Sequence, residues 1–215
     1  MAGVYRQSFD ETSNAQETEI LGGTDQTKIG NVTDSLKVNV TNSLTVETVP
    51  RDGNIATYSA SVTGLVVANN PTDIFTITGD TMRTVRVTYL EVTATQTTAA
   101  QRDIQILRRS TANTGGTSVV RTAVKHDTSG PPAAAATVRS YTANPTLGTL
   151  VGTIRARKVF IATTSTNSDE FVLDFGTRPS KAIVLRDSSE VLAINLNGVS
   201  SAGNSFDISI EWTEE

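Results

Sequence analysis

The residues of this chain that could carry catalysis or bind a metal are few and scattered. Its single histidine, His126, lies in the run Val124-Lys125-His126-Asp127-Thr128, and the chain contains no cysteine. A metal site needs several ligands, so a site here would have to consist of carboxylates, and no Asp-rich calcium-loop spacing is present. The sequence therefore predicts a solvated loop histidine, no metal site and no cofactor.

Acidic residues are the remaining candidates for chemistry, because a glycosidase needs two carboxyl groups that flank the scissile bond. Asp169 and Glu170 are adjacent, so in extended backbone they point to opposite faces, and Asp174 and Glu190 are later candidates. No serine lies in a Gly-x-Ser-x-Gly turn, and no glycine pair has the strand-to-helix setting of a phosphate loop. We interpret the carboxylates as structural and predict no catalytic residue. An enzyme such as a glycan depolymerase is therefore the least favoured of three functional hypotheses, and the other two follow from the resemblance described below.

The charge pattern does not favour a nucleic acid or a membrane as partner. The formal net charge is -4 over 215 residues, which provides no basic field to attract phosphates. The basic runs Arg108-Arg109 and Arg155-Ala-Arg157-Lys158 lack the interleaved aromatic residues on which bases stack. No apolar run approaches about 20 residues, and the N-terminus lacks a positive region followed by an apolar core. We expect a soluble protein without a signal peptide.

Strands are predicted most clearly between Thr72 and Ser110. An apolar run with Ile74, Phe75 and Ile77 ends at an expected turn at Gly79-Asp80, and a run that alternates apolar with polar residues follows from Val85. After a Thr-rich connection, residues 102–106 alternate again. At Tyr89-Leu90 the apolar phase slips by one position, which is what an extra residue at a β-bulge produces. We interpret this stretch as three strands of a single sheet with one solvated face.

The last strand has the most regular alternation in the chain, with Phe206, Ile208, Ile210 and Trp212 on one face. Such a strand belongs inside a sheet, with these four side chains in the core. Helix-favouring runs are nearly absent, while threonine and serine are abundant. We predict an all-β domain over residues 55–215, an antiparallel β-sandwich of jelly-roll type.

Residues 1–54 are predicted to be an extended N-terminal arm. Its first part is polar, and an imperfect tandem octad follows, in which residues 31–38 and 39–46 match at six of eight positions. An even repeat preserves strand phase, so each octad could repeat one docking contact, and a hairpin-like extension of the main sheet is the alternative. The predicted docking residues are apolar: Ile29, Val32, Leu36, Val38, Val40, Leu44 and Val46.

Several short runs resemble a recurrent family of tailed-bacteriophage virion proteins. They are residues 72–79 (TDIFTITG), 109–116 (RSTANTGG), 141–145 (YTANP) and 210–215 (IEWTEE), and the stretch 23–32 resembles the segment that leads a variable β domain in that family. The resemblance covers Gly22 to Glu215 and includes no catalytic motif. It implies an assembly role in the head or the tail of a virion, carried by surfaces.

The first hypothesis is accordingly a phage structural protein, attached to other virion proteins by its arm and displaying its β domain outward. The alternative is a receptor-binding module of a tail tip or fibre, whose loops Ser110–Thr117 and His126–Ala135 would contact a host glycan. The family analogy implies a homotrimer and a location in the virion, after assembly in the host bacterial cytoplasm.

Overall fold

The structure is a computed structural model that describes residues 5–10, 15–20, 55–175, 182–199 and 203–215. The chain divides into two compact units, Met1–Val49 and Pro50–Glu215. The predicted docking residues all lie outside the described residues; they are Ile29, Val32, Leu36, Val38, Val40, Leu44 and Val46.

The described part of the first unit is a two-stranded antiparallel hairpin. Strand β1 (Tyr5–Asp10) pairs with β2 (Ala15–Ile20), so that Tyr5 lies opposite Ile20 and Asp10 opposite Ala15. This hairpin was not predicted, because the sequence here lacks the alternation of a strand. Alternation marks only strands that bury one face, whereas backbone pairing between antiparallel strands does not require it.

The second unit consists of strands joined by loops and one short 3-10 turn at Ser165–Asn167, with no α-helix among its described residues. No helix in the part of the chain that the structure describes is long and apolar enough to cross a membrane. The strands are β3 (Ala56–Leu65), β4 (Asp73–Thr78), β5 (Val85–Thr95), β6 (Ala100–Arg109), β7 (Ser118–Arg121), β8 (Val124–Lys125), β9 (Thr137–Tyr141), β10 (Leu150–Ile161), β11 (Phe171–Asp174), β12 (Ile183–Leu185), β13 (Val191–Asn195) and β14 (Ser205–Glu214).

These strands form two antiparallel sheets that pack face to face. The first sheet has the order β10-β6-β13-β4-β9-β7 and the second β11-β5-β14-β3-β8, with β12 paired to β5. Strands β7 to β9 are inserted between β6 and β10 and extend both sheets at one edge. Without them and β12, the orders β4-β13-β6-β10 and β3-β14-β5-β11 are those of a jelly roll. The predicted all-β antiparallel sandwich is confirmed.

Strand β14 lies in the middle of the second sheet, between β3 and β5. Its residues Phe206, Ile208, Ile210 and Trp212 are buried in the core. The Trp212 ring stacks on Tyr58 of β3, with ring centroids 5.8 Å apart and 23° between the planes. The alternation of one strand thus places its apolar face between the two sheets.

The arrangement of the central strands corrects one prediction. Strands β4 and β6 lie in the first sheet and β5 in the second, so they are not three strands of one sheet. Alternation indicates which side chains share a face, but it does not indicate which strands are neighbours. Here the β4–β5 and β5–β6 connections both cross from one sheet to the other. A bulge is present as predicted, but it lies just before the predicted position Tyr89-Leu90: Tyr89 lies opposite Glu211, Val87 opposite Trp212, and Thr88 is the extra residue.

Candidate ligand-binding groove

A groove of about 360 Å³ lies on the outer face of the first sheet, beside the loop between β6 and β7. Strand β9 provides much of its floor: Val138 packs into the core, so its neighbours Thr137 and Arg139 face outward. The groove is lined by Thr78 of β4, Thr137, Arg139 and Tyr141 of β9, Ser118 of β7, and Ala112, Asn113 and Gly115 of the loop.

Two polar side chains of this groove have unused hydrogen-bonding capacity. Arg139 is half-buried, and its Nη1 donates to Ser118 Oγ at 3.3 Å, but it forms no ion pair with a described residue. Tyr141 is only 4% exposed, and its hydroxyl has no hydrogen-bond partner among the residues that the structure describes. The groove therefore presents a cation and a phenol that are free to bind a ligand.

A buried carboxylate connects three strands of the first sheet, β4, β6 and β13, to the loop that forms the groove wall. Asp73 is 1% exposed and accepts from Arg109 Nε at 2.6 Å and Arg109 Nη2 at 2.8 Å, in a bidentate pair. It also accepts from Asn113 Nδ2 at 2.8 Å and Asn195 Nδ2 at 2.7 Å. These charge-assisted bonds hold Asn113, and hence the groove wall, at a fixed height above the sheet.

A second loop, residues 142–149, packs against the first and fixes its path. Thr114 and Thr146 exchange two backbone hydrogen bonds, at 3.0 and 2.7 Å. Gly148 donates its N–H to Asn113 Oδ1 at 2.8 Å, and a Cβ at this position would overlap the Thr111 carbonyl. Residues 110–117 and 142–149 therefore form two loops that are hydrogen-bonded to each other.

The other loop predicted to contact a glycan, His126–Ala135, does not line this groove. Its C-terminal end is clamped to the opposite sheet by buried Glu214, which accepts from the Ala135 N–H at 2.9 Å and the Ala136 N–H at 3.0 Å. Glu214 also accepts from Trp212 Nε1 at 2.9 Å, which joins this loop to the core. For His126, the structure gives a backbone bond to the Thr57 carbonyl.

The acidic residues considered for a glycosidase have local structural partners. Asp169 accepts from the Phe160 N–H at 2.8 Å. Burial opposes ionisation of Glu190, but the Arg186 N–H and the Arg108 guanidinium outweigh it and lower the pKa of this carboxyl. The hydrogen bond that Glu170 shares with Glu91 raises the pKa of Glu170. In the described residues, no three His, Asp or Glu side chains form a group that could hold a metal.

The outer face of the second sheet is polar and acidic. Tyr89 donates its hydroxyl to Glu91 Oε2 at 2.8 Å, and this bond, with burial and nearby carboxylates, raises the pKa of Tyr89 to about 12. Glu211 of β14 lies opposite Tyr89 and Ser209 opposite Glu91. The phenol is thus engaged as a donor to a carboxylate, in contrast to the free phenol of the groove.

No family model matches the chain, and no curated protein or solved structure matches it either. The groove was not predicted from the sequence, although Ser110–Thr117 was named as a contact loop. The sequence does contain one indication of the groove. Thr137, Arg139 and Tyr141 alternate with Val138 and Ser140, so a strand places three side chains that can form hydrogen bonds on the face opposite Val138.

Proposed function

We propose that this protein is a structural component of a tailed-bacteriophage virion, attached through its N-terminal residues and displaying its β domain outward. The observation that carries the proposal is the jelly-roll strand order, an architecture that viral capsid and lectin domains use. The short runs that resemble virion proteins give additional support, and two of them lie largely in the two hydrogen-bonded loops beside the groove.

Attachment is assigned to the arm because it repeats one apolar pattern. An octad with Leu36 or Leu44 near its centre could add as a strand to an exposed sheet edge of another virion protein, with backbone bonds providing affinity. The arm is also acidic: residues 1–50 contain seven acidic and three basic side chains. Replacing both Leu36 and Leu44 by Asp should weaken incorporation into particles and leave the melting temperature of the β domain unchanged.

The test is whether the protein is part of the particle. Virions are purified by density gradient from lysates of the host, and the protein is sought by quantitative mass spectrometry and by antibody labelling in electron microscopy. We expect a constant number of copies per particle and labelling at one location. A protein that stays in the soluble fraction and is absent from particles refutes the proposal.

We also propose a homotrimer, by analogy with other phage projections. Light scattering at micromolar concentration should give three times the chain mass of 22.8 kDa. A monodisperse species of a single chain mass contradicts the trimer.

The second candidate function is receptor binding to a host glycan. The observation that favours it is the groove, because its lining of hydroxyls and one arginine suits a polar, hydroxylated ligand. A glycan array probed with the full-length chain tests this function, and an array without any reproducible binding counts against it.

A further inference from the structure

We infer that the groove between the β6–β7 loop and strand β9 binds a sugar that bears a carboxylate, through Arg139. The inference deepens the second candidate function and rests on it for its biological setting. It can be tested on the isolated protein, so its failure is distinct from that of the virion proposal.

Arg139 supplies the charge selectivity. It lies in the groove floor, half-buried, and the only side-chain bond that the structure gives it is a 3.3 Å contact to a hydroxyl. A guanidinium presents five N–H donors in a planar fork that matches a carboxylate, so most of its donors remain for a ligand. In a partly desolvated floor, such a pair is stronger than on an open surface.

The remaining lining selects a polyol rather than a small inorganic anion. Thr78, Thr137 and Ser118 bring hydroxyls to the same groove, and each can donate and accept. The Tyr141 ring is almost fully covered, and its hydroxyl, which has no partner among the described residues, adds one more hydrogen-bonding group. A sugar ring is large enough to fill much of this groove of about 360 Å³ and to exchange hydrogen bonds with several of its hydroxyls, whereas phosphate is too small to reach them all at once.

The groove is also held in shape before any ligand arrives. Asn113 cannot swing into it, since both ends of its amide are used, by Asp73 and by the Gly148 N–H. On the floor, Arg139 lies on a strand that is paired on both sides, with β4 and β7. Preorganisation of this kind removes part of the entropy cost of binding a small ligand.

The experiment uses the full-length chain and two probes that differ in one group, methyl β-D-glucuronide and methyl β-D-glucoside. Binding is followed by amide chemical shifts in NMR titrations up to roughly 10 mM, since a single sugar contact is expected in the millimolar range. Inorganic phosphate is titrated in parallel. The variant is Arg139→Gln, and the matched control is Arg155→Gln, an exposed arginine on β10 that does not line the groove.

We expect the glucuronide to shift amides of groove residues and to bind at least tenfold more tightly than the glucoside. Arg139→Gln should reduce its affinity to that of the glucoside, while Arg155→Gln leaves it unchanged. Thr137→Val, which removes one lining hydroxyl at nearly constant volume, should weaken both sugars by a similar factor. It provides a second test if the arginine variant does not fold.

The inference is overturned if neither sugar binds, if both bind equally, or if Arg139→Gln retains the preference for the glucuronide. Phosphate that binds as tightly as the glucuronide, on the same residues, would show a general anion site and would equally overturn it.

Discussion

Replacing Asp73 by Asn should destabilise the β domain strongly, because it leaves a buried arginine without its counter-charge. Asp73 accepts four hydrogen bonds, two of them from Arg109, which is 3% exposed. An asparagine has nearly the same shape but presents an N–H₂ group to donors that all need an acceptor. Breaking one partner of a buried ion pair costs about 3–5 kcal/mol, which is a large part of the ~5–15 kcal/mol that stabilises a typical domain.

The assay is urea unfolding followed by the fluorescence of Trp212, which lies in the other sheet and so reports the whole domain. The matched control is Asp103→Asn, which breaks a surface pair with the exposed Lys158. Exposed pairs contribute roughly 0–1 kcal/mol, so this variant should unfold close to the wild type.

A double variant separates the lost bonds from the unpaired charge. Asp73→Asn with Arg109→Met removes both partners, so it should be more stable than the sum of the two single losses predicts. A loss below about 1 kcal/mol for Asp73→Asn, or strict additivity in the double variant, would refute the assignment of this pair as a buried, coupled unit.

Three further predictions concern single positions. Gly148→Ala should destabilise the domain because its Cβ overlaps a loop carbonyl, whereas Gly152→Ala, which meets no atom within 4 Å, should be close to neutral in urea unfolding. Trp212→Ala should cost roughly 3–5 kcal/mol as a core truncation; this variant has no tryptophan, so its urea unfolding is followed by far-UV circular dichroism, and a loss under ~1 kcal/mol would contradict the burial of Trp212. The hydrogen bond with Glu91 raises the pKa of Glu170 in the folded state. The contribution of Glu170 to the free energy of unfolding is therefore fully present below its unfolded pKa of 4.5 and is lost as the pH rises through its folded pKa. Glu170→Gln should therefore match the wild type in stability at low pH and be more stable than the wild type at pH 7. If the variant and the wild type had equal unfolding free energies at pH 7 as well, the interaction between Glu170 and Glu91 would be contradicted.

The fold class could be predicted from the sequence because burial imposes a period of two on each core strand. The alternation around Trp212 and the phase slip at Tyr89-Leu90 are local properties, and both reappear in the structure as a buried face and a bulge. Which strands become neighbours is a property of the connections, and so the assignment of β4, β5 and β6 to one sheet was wrong.

The groove illustrates a different limit. Its arginine on β9 and its wall residue Asn113 are separated in the chain and meet only because the β6–β7 loop folds back over the outer face of the sheet. The periodicity of a short stretch of sequence does not indicate that a loop will fold back over a sheet in this way. Similarly, the role of Gly148 depends on the approach of Thr111, which is distant in sequence and adjacent in space.

The most direct test of the proposed display role compares the full chain with residues 51–215 in assembling particles. The β domain contains its own core and both sheets, so the shorter chain should fold and keep its melting temperature. We predict that the full chain copurifies with virions in a constant ratio to the major capsid protein and that the truncated chain does not. Truncated protein at the same occupancy as the full chain would contradict attachment through the N-terminal arm.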